Sequence, residues 1–297
     1  MRKIVDAHHH LWDLRANSYP WLLDPTTPRL YGDHSAICHD YPLADYLRDM
    51  ASVGVVKSVH VQADSDFGDP VRETRWLQGV ADRPDNPAGF PHGIVAFADF
   101  SKPDVAAVLE QHCASPNMRG IRQALNGIVT NPARHPDILN SDLWRANIGL
   151  LRAHHMSFDL QLFPSQMESA ARLARQHPDV QFILLHVGLP MDQTQDGLAR
   201  WHRGLEQLAA CPNVAVKVSG FGMFDHNWTI ESIRPLVLTT IECFGLERAM
   251  FGSNFPVDGI WADGGRVWDA YFAITADCSE AHRQRLFHDN AVRFYRL

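Results

Sequence analysis

The sequence predicts an α/β protein with a single domain over residues 1–297: a parallel (β/α)8 TIM barrel with a long loop after its first strand. Three observations predict it. Eight short apolar stretches alternate with roughly eight stretches of helical period, and parallel strands need such crossovers. The strands read as near-continuous apolar runs, Phe182-Ile183-Leu184-Leu185 above all, as strands covered on both faces do. No glycine-rich phosphate loop follows the first strand, which disfavours the runner-up, an open doubly wound sheet. Barrels commonly fill this length alone, and no linker or charge run divides the chain.

The first strand opens at Ile4-Val5 and runs through Asp6-Ala7-His8-His9-His10. Strict alternation puts Asp6, His8 and His10 on one face and Ala7 and His9 on the other. An irregular stretch from about Leu14 to Pro42 follows, rich in Pro, Asp and aromatics. Trp12, Tyr19, Trp21 and Tyr31 can simply pack on the barrel top. A loop this long after a barrel strand is usually functional, and it offers flat faces for a ring-shaped substrate.

Leu43, Tyr46, Leu47, Met50 and Ala51 then keep a helical rhythm. Val55 to Gln62 is a strand, and Arg72 to Ala81 a helix with Glu73, Trp76, Leu77 and Val80 on one side. Gly93 to Phe97 is strand, with Asp99 just beyond. Pro103 suits a first helical turn, with Val105, Val108, Leu109 and His112 inward. Gly120 to Leu125 reads as a short strand, followed by a loop through Pro132 and Pro136 and a helix burying Trp144, Ile148 and Leu151.

Ser157 to Phe163 is strand. Ser165-Gln166-Met167-Glu168 reads as a capping box opening a helix with Met167, Ala170, Ala171 and Ala174 on its stripe. Gln181 to Val187 is a strand carrying His186 near its end. Leu198, Trp201, Leu205 and Leu208 mark a helix, Val214 to Ser219 a strand, and Ile230, Ile233, Val237 and Ile241 the next helix. Ala249 to Gly252 is the last strand, and a C-terminal helix buries Phe287, Ala291 and Phe294.

Hydrophobic content of 45% supplies a sizeable core, and a formal charge of −7 excludes nucleic acid as a natural partner. The five cysteines (Cys38, Cys113, Cys211, Cys243, Cys278) are scattered, never in Cys-x-x-Cys, and read as buried thiols of a reducing compartment. No apolar run reaches membrane-spanning length, and Arg2-Lys3 leads into a histidine-rich strand, not a signal-peptide core. The expected setting is cytoplasmic and the expected partner a small molecule, with homo-oligomerisation left open.

Barrel chemistry sits at the C-terminal ends of strands. Those ends carry His8 and His10, Gln62, Asp99, Arg122, Gln161, His186, Lys217 with Ser219, and Asn254. Singly, each has a dull explanation: a strand-end cap, a helix cap, a snorkelling lysine or a satisfied core histidine. Their convergence on one end is the signal. Imidazoles two residues apart can both reach one cation, a spacing that suits Zn²⁺. With 17 histidines in the chain a chance cluster or a tag is the alternative, but this one lies inside an apolar strand behind Asp6. His186 ends a buried strand where unpaired polarity is costly, and a shared metal would satisfy it.

Val-Asp-Ala-His-His-His-Leu-Trp-Asp resembles the opening strand of the amidohydrolase superfamily. It is specifically similar to the "amidohydrolase 2" branch, which holds sugar-lactone and pyrone-dicarboxylate lactonases, with aromatic-acid decarboxylases as distant relatives. His186 before Gly188-Leu189-Pro190, Gly120-Ile121-Arg122, Lys217-Val218-Ser219-Gly220 and Asn290-Ala291 with Phe294-Tyr295 continue the resemblance in order. It implies a hydrolase of small lactones with one divalent metal, Zn²⁺ first, on His8, His10 and His186, a metal-free site being the alternative. Arg122, Lys217, Gln62 and Gln161 would bind substrate polar groups, and Trp12, Tyr19 and Trp21 would cover the ring.

One position departs. Phe251-Gly252-Ser253-Asn254-Phe255-Pro256 has Asn254 where the family's Gly-Ser-Asp-x-Pro has the Asp that ligates metal and takes a proton from water. An amide cannot act as a base, so Asp258, four residues on, is the candidate substitute, with Asp6 as a support behind His8. A decarboxylase of aromatic acids and a barrel that binds a sugar acid without turnover are the competing readings.

Overall fold

The computed structural model describes residues 3–126 and 138–297. The loop expected through Pro132 and Pro136 lies outside the described residues. Eight parallel strands run in sequential order: β1 Ile4–His9, β2 Val55–Val61, β3 Gly93–Ala96, β4 Met118–Ile121, β5 Ser157–Leu160, β6 Phe182–Leu184, β7 Val214–Val218 and β8 Ala249–Phe251. The chain beyond β8 returns to β1. Asn254 N–H donates to the His8 carbonyl and His10 N–H to the Phe255 carbonyl, both at 2.7 Å. A (β/α)8 barrel results.

Helices follow the strands in turn, among them Leu43–Asp49, Pro70–Ala81, Val105–Cys113, Asp142–Ile148, Met167–Gln176, Gln195–Ala209 and Ile230–Phe244. Thr194, Thr229 and Asp263 cap their helices by accepting a backbone N–H three residues on. Ser165 does not cap as expected. A 3-10 turn precedes Met167–Gln176, and the Gln166 side chain reaches back to the Phe163 N–H at 2.9 Å. Helix Gly264–Ile274 escaped the sequence reading, and at the C-terminus Tyr295, not Phe294, is the fully buried aromatic.

Alternation splits the apolar strand residues into two cores. Val5, Ala7, Val59, Val61, Val95, Ile183, Ala215 and Met250 form a small one, closed by Ala291 and Tyr295. Residues of the other parity, such as Ile94, Leu184, Val216 and Phe251, join the larger core with the helices. Of the cysteines, all free, only Cys211 is buried, so the expectation of buried thiols fails at the other four. Among the described residues no helix is long and apolar enough to cross a membrane.

A bulge in β1 matters most for the site. Asp6 pairs with Ser58 and His9 with His60, three steps on β1 against two on β2. Strict alternation is therefore broken. Asp6 and His9 both turn to helix Leu43–Asp49: the Tyr46 hydroxyl donates to Asp6 at 2.9 Å, and the His9 ring stacks on Tyr46 at 4.1 Å. His8 and His10 are left together on the opposite side.

Candidate active site

The bulge sets His8 beside two other imidazoles. Its ring centroid lies 5.1 Å from that of His10 and 4.6 Å from that of His186. His10 Nδ1 is 2.7 Å from the Val61 carbonyl, so that nitrogen carries the proton and leaves Nε2 a lone pair. His186 Nδ1 is 3.0 Å from Ser219 Oγ, a hydroxyl that holds the ring's orientation whichever of the two donates. His8 is fully buried, and neither of its ring nitrogens has a hydrogen-bond partner. Such an orphan costs about 1–3 kcal/mol and calls for an explanation.

Burial first, then neighbouring cations and imidazoles, drives all three histidines towards the neutral form. His10 is pushed down to about 3 by burial and Arg122, against its bond to the Val61 carbonyl. His8 and His186 are lowered strongly, by burial and then chiefly by Lys217 and Arg122 respectively. Neutral rings are what a metal needs. Imidazoles at about 2.0–2.1 Å from one tetrahedral ion have ring centroids roughly 5 Å apart, which His8 meets on both sides. The donors fit a divalent ion in kind, and His8 fits in its spacing to each neighbour. Among the described residues, no group of three His, Cys, Asp or Glu side chains is arranged to hold a metal ion.

Next to these rings lies a cavity that His10 and His186 reach and His8 does not. His10, His186, Arg122, Gln161 and Asn254 line it on the barrel side. Arg122 is held in register by Gln161 Oε1 at 2.8 Å and by the Gln62 carbonyl. Trp12 and Trp21, edge to face at 5.6 Å, contribute an apolar wall. Three lining residues carry positive φ without being glycine: Asp64 at 56°, His186 at 53° and Asn254 at 57°. Backbone strain of this kind gathers at functional sites.

Five expected residues are placed elsewhere. Lys217 points into the barrel interior, Nζ 2.8 Å from Asp159, both side chains fully buried, so it is not free to hold substrate. Tyr19 is behind the wall, its hydroxyl 3.1 Å from Glu73. The Gln62 side chain turns to Asp64, accepting its N–H at 2.6 Å, and only its carbonyl serves Arg122. Asp258 does not line the cavity. Its oxygens take the Asn254 amide at 2.6 Å and the Gly222 N–H at 2.7 Å, which removes it as a base touching substrate. Asp6, on the helix side of the bulge, receives Ser253 N–H and Oγ–H at 2.8 and 2.6 Å and reaches His8 only through its backbone N–H.

The sequence reading missed Arg29 and Asp64. They pair at 3.1 Å across the cavity mouth, with the Arg29 guanidinium 4.2 Å over the Trp21 ring. Asp64 stands two residues past the flagged Gln62. Arg29 lies in the long loop, where no periodicity marks inward residues.

The amidohydrolase family profile matches residues 5–297. The protein y4mH of Sinorhizobium fredii is 46% identical over 298 residues, covering 99% of this chain and 98% of that one. An L-fucono-1,5-lactonase of Burkholderia ambifaria is 28% identical over 306 residues, covering 99% and 95%. The crystal structure of an amidohydrolase from Burkholderia multivorans with bound zinc superposes at a TM-score of 0.82, 25% identical, covering 100% of both chains.

Proposed function

This chain belongs to the amidohydrolase family, and from that premise we propose that it is a lactonase opening a small cyclic ester of a sugar acid. One divalent ion, zinc first, would be held by His8, His10 and His186. The observation that carries the reading is a buried His8 with two unpartnered nitrogens, set behind the cavity lining and flanked by two neutral imidazoles that share that lining with Arg122. The lactonase relative and the zinc-bound relative support it.

An ion there supplies polarisation of the ester carbonyl and acidification of a water molecule. The chain's own residues supply the rest. Arg122, its fork fixed by Gln161 and the Gln62 carbonyl, meets negative charge developing on an ester oxygen. The Val61 carbonyl holds His10 in the tautomer that keeps a lone pair on Nε2, and Ser219 fixes the orientation of the His186 ring. Trp12 and Trp21 give the sugar ring an apolar face. Asp64, Arg29, Gln161 and Asn254 offer both acceptors and donors, as several ring hydroxyls require. A planar dianion would meet the Asp64 carboxylate instead, so the hydroxylated ring is the better fit.

The test is metal analysis of purified protein and a pH-indicator screen of sugar lactones. Ring opening releases one proton per turnover. Carbon dioxide release from aromatic acids would replace the reading by a decarboxylase, and stoichiometric binding without turnover by a sugar-acid-binding barrel. Turnover by protein free of metal and insensitive to chelator would remove the ion.

A further inference from the structure

Asn254 sits where the chain leaves β8, with its backbone N–H on the His8 carbonyl and its side chain at the cavity wall. Its amide Nδ2 donates to Asp258 Oδ2 at 2.6 Å, and the other oxygen, Oδ1, accepts the Gly222 N–H at 2.7 Å. Both side chains are buried. The Gly222 contact is close: a Cβ there would lie 2.7 Å from Asp258 Oδ1 and 2.5 Å from Trp261 Cε3. With Oδ1 taken by the Gly222 N–H, Oδ2 is the acceptor left for the Asn254 NH2, which the 2.6 Å contact turns to Asp258. The amide's carbonyl oxygen, on the other side of the same plane, is turned to the His10 ring at the cavity wall.

We propose that Asp258 is a positioning residue that locks the Asn254 amide, so that this position presents a neutral acceptor oxygen to the His10 ring and to what enters the cavity beside it. The orientation follows from the pair itself. What the acceptor serves, holding the proton of a substrate hydroxyl or of the incoming water, rests on the lactonase reading. The carboxylate is thus set one side chain back from the cavity, and the residue facing substrate carries no charge.

Isosteric exchange inverts the arrangement. In Asp258→Asn the introduced amide must still give its oxygen to the Gly222 N–H, so its NH2 would face the Asn254 NH2 across the 2.6 Å gap. Two donors cannot meet there, and the Asn254 amide turns over, showing its NH2 to the cavity. Adding Asn254→Asp restores a donor–acceptor pair with the partners exchanged and returns an acceptor to the cavity. Asn254→Asp alone sets two carboxylates against each other, which must share a proton.

The experiment measures hydrogen exchange of the Asn254 side-chain NH2 by NMR, together with kcat and KM on the best lactone. Wild type is expected to show a protected NH2. Asp258→Asn should speed that exchange at least about tenfold and lower kcat by about ten- to hundredfold, with KM changed by less than about threefold. The double exchange Asn254→Asp/Asp258→Asn should recover at least about tenfold of the lost kcat. Unchanged exchange and kcat in Asp258→Asn would overturn the proposal. So would a double exchange no faster than Asp258→Asn at a wild-type melting temperature. Should Asp258→Asn fail to fold, the double exchange is compared with Asn254→Asp alone and must exceed it in kcat. If wild type opens no lactone, the functional reading falls, while exchange still decides the orientation.

Discussion

Lys217, Asp159 and Tyr295 place two charges and a phenol inside the barrel and pair them with one another. The ammonium sits 2.8 Å from Asp159, the Tyr295 hydroxyl reaches both Asp159 oxygens at 3.0 and 2.9 Å, and Lys217 Nζ lies 4.8 Å over the Tyr295 ring. His8, His10 and His186 occupy the same interior with no charge and with two nitrogens unpartnered. Richness in polar atoms does not separate the two clusters, and neither does burial. Completion does. A buried ion pair that satisfies itself has no capacity left for a ligand, whereas an unsatisfied imidazole cluster persists at a cost unless something binds it.

The largest expected effect breaks the open cluster. His186→Ala should lower kcat/KM by at least about a thousandfold and abolish stoichiometric zinc, while stability moves by no more than about 1–2 kcal/mol. Metal analysis and urea titration check it, and full activity in this variant would remove the histidine cluster from the site. His9→Gln, altering a ring that stacks on Tyr46 and bonds to Ser58 Oγ, should instead leave turnover per folded molecule intact.

Breaking the closed cluster should do the reverse. Lys217→Met strands Asp159 without its cation and should cost about 3–5 kcal/mol of stability, with turnover per folded molecule retained. Loss of turnover at full stability would return Lys217 to the substrate site.

Acid separates the clusters next. Burial depresses His8, His9, His10, His60 and His186, His9 and His10 to about 3. Between that and the unfolded value near 6.5, the unfolded chain carries protons that the folded chain lacks. Metal-free protein therefore loses stability as pH falls below about 6.5, by roughly 1.4 kcal/mol per pH unit for each such histidine. Asp6, Glu73 and Asp258 act oppositely, the last two being pushed up to about 7 by burial, but the histidines outnumber them. Denaturant titrations at pH 7, 6 and 5 should show a net fall, which added zinc counters. Rising stability on acidification would mean the rings are already protonated in the fold.

Legibility in the sequence followed the same divide. The barrel was readable because buried strands and amphipathic helices carry their periods locally; β2, β5 and β7 start where the apolar runs do. β4 begins two residues early, at Met118, because Gly120 to Leu125 has little strand propensity of its own and pairing with β3 sets its limits. Strand-end reading found His8, His10, His186, Arg122, Gln161 and Asn254. It could not see that Asp159 would claim Lys217, or Gly222 claim Asp258, because those partners come from distant segments. The β1 bulge was equally invisible. Only the β2 register shows that Asp6 leaves the face of His8.

The smallest test removes one hydroxyl from each cluster. Ser219 Oγ lies 3.0 Å from His186 Nδ1, both buried, and holds the ring's orientation. Ser219→Ala should lower zinc affinity about ten- to hundredfold, the usual effect of removing such a support, with little change in stability. Tyr295→Phe deletes the hydroxyl on Asp159 and should cost about 1.5–3 kcal/mol, as for a hydrogen bond to a charged group, without altering zinc affinity. Calorimetric zinc titration and thermal unfolding of both variants give four numbers. The comparison predicts that each variant moves one quantity and spares the other. If Tyr295→Phe weakens zinc as much as Ser219→Ala does, the two clusters are coupled through Lys217 and His8, and the closed cluster tunes the open one.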